Sequence, residues 1–147
     1  MSEKIKICCG GINEKSFFNL IRTGNYNEAK ELASHWDLDE MENLLLEYSF
    51  DTEDIGVYTL LNIHLLDQEN GPIHHVISVI MSMAFSHWNG AYQVAFYHAK
   101  KAVELDPENL DFKEYMLFFY EIPDQLLSKD EAISLAKEIL KQRPIAK

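Results

Sequence analysis

With 147 residues, of which 47% are hydrophobic and 25% charged, the chain has the composition of one globular domain large enough to bury a core. Its 24 acidic against 13 basic side chains give a formal net charge of −11, which opposes direct binding to nucleic acid or to an anionic membrane surface. The charge is regional: Glu31 to Ala99 contains eleven acids and no Lys or Arg, while the rest of the chain balances thirteen acids against thirteen bases.

The chain opens with Lys4 and Lys6 alternating with Ile5 and Ile7, which predicts at most a short strand from Lys4 to Cys8. This stretch is too short and too charged for a secretory hydrophobic region, so a cytoplasmic protein is expected. Cys8 and Cys9 are the only cysteines. Adjacent cysteines strain a disulfide, and no second Cys pair or suitably spaced His completes a zinc site, so they read as reduced thiols.

Leu38, Met41, Leu45 and Tyr48 share one face of a predicted helix, and Asp37 and Glu40 are spaced as a variant capping box at its start. Eight acids (Asp37, Asp39, Glu40, Glu42, Glu47, Asp51, Glu53, Asp54) crowd this helix and its exit. Gly71-Pro72 marks the next boundary, followed by an apolar segment from Ile73 to Phe85. That segment is shorter than a bilayer requires and carries His74 and His75, so it reads as a buried helix. Ser128 and Glu131 form a clearer capping box before Ala132, Leu135, Ala136, Ile139 and Leu140.

A repeat underlies these helices. Gly-x-Tyr recurs as Gly24–Tyr26, Gly56–Tyr58 and Gly90–Tyr92, and Ala follows the first and third copies at matching offsets (Ala29, Ala33; Ala95, Ala99). Ala95, Ala99, Ala102 and Pro107 are matched in spacing by Ala132, Ala136, Ile139 and Pro144. Small residues at those intervals let a neighbouring helix approach closely, and the proline stops the second helix of a pair. The run from Trp88 to Pro107 resembles the tetratricopeptide repeat, and four degenerate helix pairs of that kind extend over 13–144. The spacing and this resemblance together imply an all-α fold of seven or eight helices in antiparallel pairs, a single domain over 1–147. An irregular bundle with repeat-like pairs is the alternative.

No catalytic constellation is visible. There is no Gly-rich phosphate loop, no His-Glu-x-x-His pair and no nucleophile elbow. The six histidines offer no paired metal ligands at i, i+4 spacing, because His74 and His75 point about 100° apart on a helix. A non-enzymatic chain without cofactor or metal is therefore expected.

Binding remains, and two classes compete. Small acidic cytoplasmic chains of this kind resemble, in type, the immunity proteins of bacterial toxin systems. A basic toxin, such as a nuclease, must present cations to its substrate, and an acidic face can cover them. On that reading Asp39, Glu40, Glu42, Glu47, Asp51, Glu53 and Asp54 contact the partner, with Trp36 and Tyr58 as aromatic anchors. The plainer readings are a solvated helix for the acids and core packing for the aromatics. The second class is a tetratricopeptide adaptor or co-chaperone holding a peptide segment of a partner. The missing Lys and Arg over 31–99 leave such an adaptor little means of capturing a peptide carboxylate there. A structural enzyme subunit is a third, weaker option.

Overall fold

A computed structural model describes residues 14–143; the expected strand at Lys4–Cys8, the Cys8–Cys9 pair and Pro144 lie outside that range. The described residues are helical, with no strand among them. The segments are α1 (Glu14–Arg22), α2 (Tyr26–Leu32), α3 (Leu38–Thr52), α4 (Gly56–Asp67), α5 (Gly71–Met83), α6 (Ala91–Leu105), α7 (Leu110–Met116), α8 (Phe118–Glu121) and α9 (Lys129–Gln142). Helices α7 and α8 are separated only by Leu117, which itself has helical angles (φ −63°, ψ −25°). Joined there, the described residues form eight helical rods, the all-α fold that the apolar spacing implies. None is long and apolar enough to cross a membrane.

The contacts group into two compact units, one of residues 14–69 with 83–85 and one of 70–82 with 86–143. In the first unit, α1 and α2 are joined by a three-residue turn at Gly24 (φ +81°). The Asn25 N–H donates to the Leu20 carbonyl (2.8 Å) and the Gly24 N–H to that of Ile21 (3.1 Å). This bond pair closes a helix on a left-handed residue, which glycine adopts without Cβ strain. Helix α4 packs on both α1 and α2. Phe17, Ile21, Ala29, Leu45, Val57, Leu60 and Leu61 form the buried core. Gly56, the second glycine of the repeat, serves a different purpose from Gly24. A Cβ there would lie 2.9 Å from Asp54 Oδ1 and 3.0 Å from the Tyr26 hydroxyl, so it permits a close approach at the start of α4.

In the second unit, ten of the thirteen residues of α5 are buried, which explains its nearly continuous apolar sequence. Gly90 precedes α6 at φ +83°, matching Gly24. Ala91, Ala95, Ala99 and Ala102 form a buried small-residue face on α6. Helix α7 packs on α6, α8 and α9. The predicted capping box at α9 is complete: the Glu131 N–H donates to Ser128 Oγ, and the Ser128 N–H to Glu131 Oε1, both at 3.1 Å.

Candidate protein-binding surface

The acidic surface is built on α3. Asp37 is its N-cap by backbone (φ −61°, ψ 138°), and its carbonyl accepts from the Met41 N–H (3.0 Å). Its side chain makes no capping bond, so the box expected from Asp37 and Glu40 does not form. Met41, Leu45, Tyr48 and Ser49 are buried and Leu38 is half-buried, which fixes the inner face and leaves the acids on the flanks and back.

Asp39, Glu47, Asp51 and Glu53 are exposed, and Glu40, Glu42 and Asp54 are half-buried. Asp39, Glu40, Glu42, Glu47 and Asp51 make no ion pair with a described residue. Burial, and then the neighbouring Asp39 carboxylate, raise Glu42 above the usual carboxylate range. Asp39 and Glu40 lie in the first turn, where the helix dipole favours anions. Asp51 and Glu53 lie at the other end, where unpaired carbonyls already present negative charge and the last turn of α3 holds no basic residue. Glu53 also adopts left-handed angles (φ 53°, ψ 35°), its N–H donating to the Ser49 carbonyl. Asp51 is thereby placed against local stability.

Asp54 differs from the others. One carboxylate oxygen accepts from the Tyr48 hydroxyl (2.6 Å) and the other from the Gly56 N–H (2.8 Å). It therefore organises the α3–α4 turn.

The aromatics near the acidic stretch differ in their surroundings. Trp36 is half-buried with its ring edge-on to Phe17 (4.6 Å, 64°), and its Nε1 is buried without a hydrogen-bond partner. Tyr58 is half-buried on α4. On α3 the aromatic that stands in solvent is Phe50, 55% exposed between Glu47 and Asp51. Its signal was present in the sequence: position 50 falls off the stripe set by Leu38, Met41, Leu45 and Tyr48.

Elsewhere in this unit His64 is half-buried beside the Lys30–Asp67 ion pair (3.0 Å). Burial, followed by Lys30, lowers its pKa below the ordinary histidine value, with Asp67 opposing. Among the described residues no three His, Cys, Asp or Glu side chains are placed to hold a metal. No protein-family model matches this chain, and no curated protein or solved structure is significantly similar to it.

Proposed function

We propose that the chain is a non-enzymatic protein-binding module, an immunity protein that neutralises a basic toxin nuclease by covering its substrate-binding surface with the acidic face of α3. The observation that carries this reading is the set of five carboxylates on α3 without an ion-pair partner, in a stretch of chain that holds no Lys or Arg. Solubility needs net charge but gives no reason to place Asp51 against the helix dipole. Acids retained at a cost in stability are common where they serve binding. Phe50 adds an exposed aromatic beside them, the residue type that supplies binding energy once desolvated.

The test is coexpression with a toxin nuclease domain encoded beside the gene. Growth should be rescued by the parent chain and lost with the Glu40→Lys/Glu47→Lys variant. Rescue that survives this reversal, or an acidic partner, sets the reading aside.

One feature of the second unit favours the adaptor alternative. Met116, Leu127 and Leu135 floor an open groove of about 360 Å³, bordered by Asp130, Glu131, Ser134 and Glu138. Substitutions of Leu135 that abolish partner binding, with α3 reversals silent, would move the interaction there.

A further inference from the structure

Helix α5 is nearly all apolar, yet one of its faces is polar at every fourth residue: His74, Ser78 and Ser82, all buried. Each is hydrogen-bonded within the second unit. Ser78 Oγ donates to the Ala95 carbonyl (2.7 Å). Ser82 Oγ donates to the Ser78 carbonyl (2.7 Å) and is bonded to the Tyr115 hydroxyl. His74 Nδ1 lies 2.8 Å from His98 Nδ1. This polar seam joins α5 to α6 through His98 and the Ala95 carbonyl, and near its start a Cβ at Gly71 would lie 3.2 Å from the Ala102 carbonyl.

An Nδ1–Nδ1 contact at that distance constrains both imidazoles. One ring carries its proton on Nδ1 and donates; the other is protonated on Nε2 and accepts. A proton added to the accepting Nδ1 leaves two N–H groups facing each other with no lone pair between them. A proton added to the donor's Nε2 keeps the bond but places an imidazolium where the two residues are only 2% and 3% exposed.

The titratable groups on the packed elements are His75 on α5, then Tyr92, Tyr97, Lys100, Lys101 and Glu104 on α6 with Asp106 at its end, and Asp111, Lys113, Glu114 and Tyr115 on α7. His75 turns to α7, stacking on Phe112 (4.8 Å) and edge-on to Tyr115, and Tyr97 is edge-on to His98 (5.1 Å). Lys101 pairs with Glu104, and Lys113 with Glu138. Burial first and His74 second hold His98 down to about 4.

We propose that the His74–His98 pair is an acid-operated latch, holding α5 against α6 while both rings are neutral and releasing that packing when either is protonated. The inference stands apart from the binding role of α3. The sign follows from linkage. His98 binds a proton at the ordinary histidine value of 6.5 in the opened state and at about 4 in the closed one. Acidification between those values therefore favours opening, and below about 4 the effect saturates.

The test is hydrogen exchange of the full chain at pH 7 and pH 4.5, corrected for intrinsic rates. Protection in α5 and α6 should fall by roughly tenfold to a hundredfold, while α9, which contains no histidine, should change less. The His74→Asn/His98→Asn variant keeps a donor and an acceptor that do not titrate, and its α5–α6 protection should be nearly independent of pH. Imidazole NMR of the parent chain gives a second readout should that variant not fold. At pH 7 it should show one Nδ1–H and one Nε2–H tautomer, with His98 charging well below the ordinary histidine value. The latch is overturned if the double variant loses protection as the parent does, or if both rings titrate at the ordinary value with α5–α6 protection unchanged.

Discussion

The Tyr48 hydroxyl donates a 2.6 Å hydrogen bond to the Asp54 carboxylate, tying the end of α3 to the start of α4. Tyr48 also stacks on Phe18 (4.8 Å, 16°), so one side chain joins α1, α3 and the turn that follows. Removing the hydroxyl leaves a carboxylate oxygen short of a donor, and Tyr48→Phe should cost about 1.5–3 kcal/mol. Burial, and then Asp54, push the phenol up to about 12. A folded-state value above the unfolded value near 10 means that stability falls as pH rises through that interval. Urea unfolding at pH 7 and pH 11 should show this alkaline loss in the parent chain and its absence in Tyr48→Phe.

The small face of α6 sets a second expectation. Ala99 is only 3% exposed, so Ala99→Leu should destabilise by about 1–3 kcal/mol through overpacking. Ala136, at the matching position of α9, is only half-buried, and Ala136→Leu should cost less. Thermal unfolding of the two variants side by side checks the order. Equal effects would mean that the matched spacing of the two segments does not reflect matched packing.

At α9 both bonds of the capping box are present, and Ser128→Ala should cost about 0.5–2 kcal/mol. The hydrogen bonds from Ser128 hold Glu131 below the usual carboxylate range. A depressed carboxylate gives stability that is present above its unfolded value and lost as pH falls through the folded one. The difference between parent and Ser128→Ala should therefore narrow in acid, as measured by denaturant midpoints at pH 7 and pH 3.

The fold was legible because the apolar spacing is helical and the glycines and prolines fall between the apolar runs. Ser128 and Glu131 could be recognised as a cap from two residues alone, since each bonds the other's backbone locally. Asp37 and Glu40 share that spacing, yet the Asp37 side chain makes no cap bond, and spacing alone does not register that difference. Gly24 and Gly90 are turn glycines, whereas Gly56 answers to Tyr26, a residue thirty positions away whose proximity is tertiary. The seam of His74, Ser78 and Ser82 was hidden for the same reason. Its partners lie on α6 and α7, and a polar residue inside an apolar run does not announce what it bonds. Residue type alone does not separate a partner contact from a core or turn residue: Trp36 meets Phe17, and Asp54 accepts from Tyr48 and Gly56, contacts that only the fold establishes.

The acidic face makes a combined expectation that separates binding from solubility. Asp51 lies in the last turn of α3, where a cation is favoured and an anion is not, and it has no ion-pair partner among the described residues. Asp51→Lys should therefore leave the fold intact and raise stability by about 0.3–1 kcal/mol at low salt. Phe50 is largely in solvent, so Phe50→Ala should change stability by no more than about 0.5 kcal/mol. Against a basic toxin nuclease the two variants should part company. Asp51→Lys should slow association and weaken its dependence on salt, because it removes long-range attraction. Phe50→Ala should leave association nearly unchanged and speed dissociation, because an apolar contact acts only after docking. Association and dissociation rates at two salt concentrations, with urea unfolding of each variant, measure all four quantities. A gain in stability from Asp51→Lys with no change in association would identify the α3 acids as a solubility device and move the binding site elsewhere.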